Sequence, residues 1–156
     1  MEHEFIFACK ENNLNKIQQM THMVDIPMNA GFIWACNNGH IDVVKYLVPL
    51  GVDIHANNEE GFRWACYNGH IDVVKYLVPL GVDIHANDEE SFIWACMNEH
   101  INVVYYLVNV MQCVKYRKLN KISQFMPDAC IYYLWTKKYL INVGKYMNQL
   151  NNNFIL

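Results

Sequence analysis

Hydroxyl side chains are scarce in this sequence, which has two serines and two threonines among its 156 residues. Neither the Gly-x-Ser-x-Gly turn that presents a nucleophilic serine nor the glycine-rich loop that holds a phosphate occurs in it. No pair of acidic residues lies in a recognisable pocket-forming context either. We therefore predict that the protein is not an enzyme and needs no cofactor.

Long apolar runs are missing as well. The longest one near the repeated units described below covers residues 46–52, whereas a membrane-spanning helix needs about 20 apolar residues. The N-terminus, MEHEFIFACKENN, has acidic residues before a short apolar run and lacks the basic segment that opens a secretory signal. We expect a soluble, intracellular protein with no membrane segment.

The spacing of the six cysteines does not fit the common zinc sites, because no two of them lie two to four residues apart. Four recur at nearly regular intervals: Cys9, Cys36, Cys66 and Cys96. Equivalent helices of a stacked array lie roughly 8–10 Å apart, but the Cα atoms of a disulfide lie within about 7 Å. We predict that these four are buried, unpaired thiols and that no metal is bound. The sequence assigns no place to Cys113 or Cys130.

The sequence does contain an internal repeat. Residues 31–60 read GFIWACNNGHIDVVKYLVPLGVDIHANNEE, and residues 61–90 read GFRWACYNGHIDVVKYLVPLGVDIHANDEE. The two copies differ at three positions, which pair Ile33 with Arg63, Asn37 with Tyr67, and Asn58 with Asp88. A third copy begins at Ser91 and then decays. A fixed period of this length predicts a solenoid, because one unit cannot bury its apolar face without a neighbour.

The rest of the chain extends this array, and we expect one domain over residues 1–156. Residues 1–30 align as a worn copy that caps the N-terminal end. Residues 91–120 form a copy that decays into an insertion, and residues 121–156 a degenerate C-terminal cap. Terminal units need a polar outer surface because they have a neighbour on one side only.

Each full unit is predicted to form two short helices, at about residues 59–68 and 71–80 in the second copy. Phe62, Ala65 and Cys66 share one helical face and should be buried, whereas Trp64 points elsewhere and should pack on the neighbouring unit. Asn57 would cap the first helix, with a glutamate three residues later completing an approximate capping box.

At 38–47 and 68–77 the sequence reads Asn-Gly-His-Ile-Asp-Val-Val-Lys-Tyr-Leu, followed by Gly-Val-Asp-Ile-His-Ala. These motifs resemble the ankyrin repeat, although the usual unit has about 33 residues and opens with a Thr-Pro-Leu-His segment that is absent here. The shortened form looks like the ankyrin proteins that giant viruses of the mimivirus type encode. The resemblance implies an all-α solenoid of stacked helix-turn-helix units. It also implies a viral protein that binds a host protein in the host cytoplasm.

The resemblance further implies where a partner would bind. In ankyrin proteins the first helices line the concave face, with the loops beside them. The predicted contact row is Ile33, Asn37, Arg63, Tyr67, Ile93 and Met97. The predicted acidic loop rim is Asn58, Glu59, Glu60, Asp88, Glu89 and Glu90. Neutral drift at exposed positions is an alternative origin of the differences. The resemblance makes His40, His70 and His100 structural hydrogen-bonding residues.

Charge is distributed unevenly, which leaves two other functions open. Residues 31–90 contain nine acidic residues and three basic ones, whereas residues 111–156 contain seven basic residues and one acidic. The basic patch of Lys115, Arg117, Lys118 and Lys121 includes a tyrosine, as nucleic-acid-binding surfaces often do. Binding of nucleic acid or an anionic surface is one alternative, and head-to-tail self-association is another. We favour a monomer that binds a partner protein.

Overall fold

The computed structural model describes residues 2–22 and 25–111. Within these ranges the chain forms helices that follow one another in pairs. They are α1 (Glu2–Lys10), α2 (Leu14–Met20), α3 (Met28–Asn37), α4 (Ile41–Leu47), α5 (Ala56–Tyr67), α6 (Ile71–Leu77), α7 (Ala86–Met97) and α8 (Ile101–Met111). The predicted all-α solenoid is confirmed. The basic patch and the predicted C-terminal cap lie outside the described residues.

The helices form two layers. The first helix of each pair contacts the first helix of the next, in the order α1, α3, α5, α7. In the second layer α4 contacts α6, and α6 contacts α8. The core between the layers repeats the same side chains in each unit. Fully buried are Phe5, Phe32, Phe62 and Phe92, with Leu47, Leu77 and Leu107 opposite them. Each buried Phe contributes about 1.5–3 kcal/mol, so every unit depends on its neighbour for much of its stability.

The four repeating cysteines are buried free thiols, as predicted. Burial raises the pKa of the Cys9 thiol to about 12. It also raises the pKa values of Cys36 and Cys66 well above the ordinary range. These thiols are therefore small core side chains that remain protonated.

The second helix of each of the two full repeats, α4 and α6, ends earlier than the sequence indicated. Helix α6 stops at Leu77, and a 3-10 turn covers Val78–Leu80. Pro79 has no N–H to donate to the carbonyl of Lys75, so the regular helix cannot continue through it. Gly81 follows in the left-handed conformation with φ 96° and closes the turn.

The prediction of Asn57 as an N-cap is wrong. An N-cap residue has an extended backbone, but the residues from Asn57 to Glu59 have φ values of 53°, 58° and 63°. The Asn57 side-chain amide donates instead to Oε2 of Glu60 at 2.7 Å. Regular right-handed helix in α5 therefore begins at Glu60, and α7 begins in the same way.

Among the helices that the structure describes, none combines the length and the apolar character needed to cross a membrane.

Candidate functional site

A histidine at the start of α4, α6 and α8 holds successive units together. In each case the Nε2–H group donates to the carbonyl of the last residue of the first helix in the preceding unit. The three bonds join His40 to Lys10 at 2.7 Å, His70 to Asn37 at 2.9 Å, and His100 to Tyr67 at 2.8 Å. The predicted structural role of these histidines is confirmed. Through these bonds the ends of α1, α3 and α5 are fixed, and with them the side chains of the predicted contact row near those ends.

Two of these histidines, His70 and His100, pack closely on a glycine of the preceding unit, whereas the equivalent residue before His40 is Asn12. Gly39 has φ 73°, and a Cβ added there would lie 2.4 Å from Nδ1 of His70. Gly69 has φ 76° and the same relation to His100. No L side chain fits at that distance, so the Asn-Gly-His motif is one steric unit spread over two repeats.

The structure places the six residues of the predicted contact row along α3, α5 and α7, one pair per helix. Their exposure differs. Tyr67 and Met97 are 38% and 53% exposed. The other four, Ile33, Asn37, Arg63 and Ile93, are half-buried. Ile33 and Asn37 line a cleft between α3 and α5, and Arg63 extends from α5 toward α7.

Between α5 and α7 the cleft is filled by an ion pair. The Arg63 guanidinium reaches from α5 to the Glu90 carboxylate on α7. Its Nε–H also donates to the carbonyl of Asn58 at 3.0 Å. The guanidinium carbon lies 5.7 Å from the ring centroid of Trp94, within cation–π range. The Arg63 side chain is only 14% exposed as a result.

An aromatic cluster fills the rest of the same cleft. The ring of Tyr67 lies edge-on to both Trp64 and Trp94, with centroids 5.4 Å away in each case. The two tryptophans lie 5.7 Å apart, which confirms the prediction that Trp64 packs on the neighbouring unit. Edge-to-face contacts at these distances are the favoured geometry of aromatic pairs.

Between α3 and α5 the equivalent cleft is open. Ile33 and Asn37 stand where the next unit has its arginine and tyrosine, and neither side chain spans the gap. A cleft of about 340 Å³ remains, lined by Ala30, Ile33, Trp34, Asn37, Asn57, Glu60 and Trp64. The two sequence differences therefore decide whether a cleft is filled or open.

Glu60 is the acidic group of the open cleft. It occupies the position of Glu90 in the filled one. Its carboxylate accepts hydrogen bonds from Nδ2 of Asn57 at 2.7 Å and from Nε1 of Trp64 at 3.3 Å. No lysine, arginine or histidine of the described residues forms an ion pair with it. The cleft thus combines aromatic walls with a carboxylate that lacks a cation.

The boundary between α1 and α3 is different again. The ammonium group of Lys10 lies 3.5 Å from the ring centroid of Trp34. Ala30 stands where the later units have a glutamate, so this boundary has a cation on its tryptophan and no acid. Sequence reasoning missed Lys10 and the role of Trp34. One feature of the sequence could have indicated this role. All three copies have a tryptophan at this position, which lies outside the buried face of the first helix.

The structure corrects the predicted acidic rim at two positions. Glu59 and Glu89 are 5% and 8% exposed and do not form a rim. Oε1 of Glu59 accepts hydrogen bonds from Nδ1 of His55 at 2.7 Å and from the backbone N–H of Asp83 at 3.1 Å. Both residues have a left-handed backbone, and the Glu59 carboxylate is directed toward the loop of the following unit, whereas Oε2 of Glu89 accepts from Nδ1 of His85 at 2.7 Å.

The other rim residues lie at the surface or in the clefts. Asn58 and Asp88 are exposed, and the Asn58 amide donates to Asn87 of the next unit. Glu60 and Glu90 are half-buried. The described residues contain no group of three or more His, Cys, Asp or Glu side chains arranged to hold a metal ion.

Comparison with known protein families agrees with this architecture. The family model described as ankyrin repeats (3 copies) matches residues 5–88, 32–120 and 62–145. No curated protein matches the chain. Proteins built from these repeats are typically non-catalytic and generally bind other proteins. The matches, the paired helices and the histidine bonds between units together show that the chain belongs to the ankyrin repeat family.

Proposed function

We propose that this chain is a non-catalytic adaptor that binds one partner protein on the face formed by α3, α5 and α7. The observation that carries the proposal is the open cleft between α3 and α5. A cleft with aromatic walls and an acidic group is a suitable place for a protruding side chain of a partner, because well-packed pockets concentrate binding energy.

The surrounding surface supports this proposal. Tyr67 and Met97 are exposed beside the clefts, and tyrosine and methionine are enriched in protein interfaces. Arg63 contributes less than the sequence suggested, because its guanidinium is already bound within the chain. The proposed interface therefore centres on Asn37, Trp64 and Tyr67 and continues toward Met97.

The differences between copies also speak against drift as their origin. Arg63 and Tyr67 differ from Ile33 and Asn37 together, and both changes fill the same cleft. Independent drift at exposed positions would produce no such coordination. We propose in addition that the partner is a host protein in the cytoplasm, which rests on the similarity of the shortened repeat to giant-virus ankyrin proteins.

Site-specific photo-crosslinking tests the proposed face. A benzoylphenylalanine placed at Asn37 or Met97 should attach to the same protein in a lysate of the cells that make this chain. A benzoylphenylalanine at Asp72, which is exposed on α6 in the other layer, is the matched control and should attach to it much less. Equal attachment from all three positions would contradict the proposal.

Salt separates this reading from binding at the basic C-terminal patch. The same protein should be crosslinked whether the reaction is run at about 0.1 M or about 0.5 M salt, because apolar contacts are not screened and partly buried charge pairs are screened much less than exposed ones. Nucleic acid bound through lysines would be lost over that range. Recovery of a nucleic acid instead of a protein would assign the function to the patch. A crosslinked dimer of the chain would indicate self-association.

A further inference from the structure

We propose that the open cleft between α3 and α5 is a binding site for one arginine side chain of the partner protein. This inference rests on the proposed function, because it names the group that the interaction face recognises.

The chain itself contains the precedent. One unit further along, the equivalent cleft holds the Arg63 side chain, which pairs with Glu90 and lies over the ring of Trp94. The open cleft has Glu60 and Trp64 at the same two positions. It differs in two side chains, because Ile33 replaces the arginine and Asn37 replaces the tyrosine. The internal arginine also donates to the carbonyls of Asn58 and Asn57 at the start of its own helix. An external arginine would therefore meet the same carboxylate and the same indole ring as the internal one does.

The hydrogen bonds already made by Glu60 leave room for this guest. Oε2 of Glu90 accepts from Nδ2 of Asn87 at 3.0 Å and from the Arg63 guanidinium at once. Oε2 of Glu60 accepts from Nδ2 of Asn57, the equivalent residue. A carboxylate oxygen has two lone pairs, so Glu60 can accept a guanidinium without losing its present partner.

Arginine fits this cleft better than lysine. A planar guanidinium can lie on an indole face and donate to a carboxylate in its own plane, whereas an ammonium group is a compact, strongly hydrated point charge. The boundary between α1 and α3 shows the contrast, because Lys10 lies on Trp34 where Ala30 provides no acid. The aliphatic side chain of Ile33 gives the methylene groups of a guest arginine an apolar wall.

Nuclear magnetic resonance of the full chain tests the proposal. The probe is Nα-acetyl-arginine methylamide, and the readout is the indole N–H signals of Trp34, Trp64 and Trp94. We expect saturable shifts at Trp34 and Trp64 and little change at Trp94. The citrulline analogue, which has the same shape without the charge, should bind at least about tenfold more weakly. Equal shifts with both probes, or none with arginine, would overturn the proposal.

Two substitutions test the role of Glu60. Glu60→Gln keeps the shape of the side chain and should weaken arginine binding roughly tenfold, since it removes a charge-assisted hydrogen bond. Asp42→Asn changes the net charge equally on α4, in the other layer, and should leave the affinity unchanged. Unchanged binding in Glu60→Gln would overturn the assignment.

The copies of the repeat supply a reciprocal exchange. Ile33→Arg with Asn37→Tyr reproduces the filled cleft and should abolish probe binding. Arg63→Ile with Tyr67→Asn opens the second cleft and should raise the number of bound arginines from one to two. Each variant uses side chains that the chain already accommodates at the equivalent position. A stoichiometry that stays at one in the second variant would contradict the proposal.

Failure of this inference and of the proposed function are distinguishable. If the variant with the filled cleft still crosslinks to the partner from Met97, the face binds a protein without using an arginine. If arginine binds but no protein crosslinks, the cleft is a true site and the proposed function is wrong. If the isolated chain forms a dimer and Arg117→Ala abolishes that dimer, the cleft binds an arginine of a second copy of this chain. That result would contradict the proposal that the arginine belongs to a separate partner protein.

Discussion

Glu60 and Glu90 occupy the same position in successive units, yet only Glu90 is paired with a guanidinium. The backbone around both residues is the same, including the left-handed residues that precede them. The difference arises on the neighbouring helix, where α5 provides Arg63 and α3 provides Ile33. The two repeats are nearly identical, but each contributes two side chains to the cleft between itself and the next repeat. Because those two side chains differ, the surfaces at the two clefts differ.

Filling the open cleft should stabilise the protein. Ile33→Arg with Asn37→Tyr adds one half-buried ion pair and edge-to-face aromatic contacts, which together should raise the free energy of unfolding by about 1 kcal/mol. Urea unfolding followed by circular dichroism measures this change. The reverse exchange, Arg63→Ile with Tyr67→Asn, should lower stability by a similar amount. A lower stability in the first variant would show that the cleft between α3 and α5 cannot accommodate the contacts that fill the cleft between α5 and α7.

Gly39 and His70 should be strongly coupled. Gly39→Ala introduces a Cβ that would lie 2.4 Å from the imidazole, at a φ of 73°, and should destabilise the protein by more than about 1 kcal/mol. His70→Ala removes the imidazole and one of the two donors to the Asn37 carbonyl, the other being Nδ2 of Asn68 at 3.0 Å, which should cost about 0.5–1.5 kcal/mol. In the double variant Gly39→Ala with His70→Ala, the destabilisation caused by the clash with the imidazole should disappear, because the imidazole is absent. Urea unfolding of the four proteins measures the coupling, and strictly additive changes would contradict the steric explanation.

The protein should lose stability as the solution becomes mildly acidic, in part through His70. Burial lowers the pKa of His70, while the bond to the Asn37 carbonyl opposes that shift and the neighbouring His100 and His40 add to it. A lowered pKa means that the unfolded chain binds the proton more readily, so stability falls as the pH drops below about 6.5. The His70→Gln variant retains a donor for the carbonyl and should show a weaker pH dependence than the wild type between about pH 5 and pH 8.

His55 should stabilise the protein in mild acid and so oppose the effect of His70. The Glu59 carboxylate, which accepts its Nδ1–H, raises the pKa of His55. This contribution is present below the ordinary value of about 6.5 and is lost as the pH rises through the raised value. His55→Ala should therefore make the wild-type loss of stability in acid steeper. Urea unfolding at several pH values measures the slope, and a shallower slope in this variant would contradict the argument.

The buried thiols should resist modification. In a variant with Cys113→Ser and Cys130→Ser, the four remaining cysteines have no water-accessible thiolate, because burial holds their thiols in the core. A disulfide reagent such as Ellman's reagent should leave the native protein unlabelled and label four thiols after unfolding. Rapid labelling of the native protein would mean that the repeats open locally on the timescale of the reaction.

Periodicity accounts for the part of the fold that the sequence predicts. Phe62, Ala65 and Cys66 recur at helical spacing in identical units, so their burial follows from the pattern alone. The left-handed segment from Asn57 to Glu59 does not follow from it, because apolar spacing carries no information on the sign of φ. Burial of Glu59 was missed for the same reason, since a right-handed cap would have directed it to solvent.

The clefts could be predicted only in part. The sequence singled out Ile33/Arg63 and Asn37/Tyr67 as the variable positions of one helical face, and these are the residues that distinguish the clefts. It did not indicate that Arg63 would reach Glu90, because that contact joins different repeats. A helical wheel drawn for one unit contains no information on how far a side chain extends toward the next.

The close packing of Gly39 on His70, and of Gly69 on His100, has a consequence for how the array can lengthen. A new unit copied from residues 61–90 and inserted before Ser91 would bring its own histidine to Gly69 and its own glycine to His100, so both junctions would fit. A unit of the same sequence placed after the third repeat would meet Glu99 at φ 59°, where the two full repeats have glycine and the first unit has Asn12 at φ 56°. Growth by duplication inside the array therefore keeps the glycine contact, whereas growth beyond the third repeat would need a junction with a side chain at this position, as Asn12 already forms with the unit of His40.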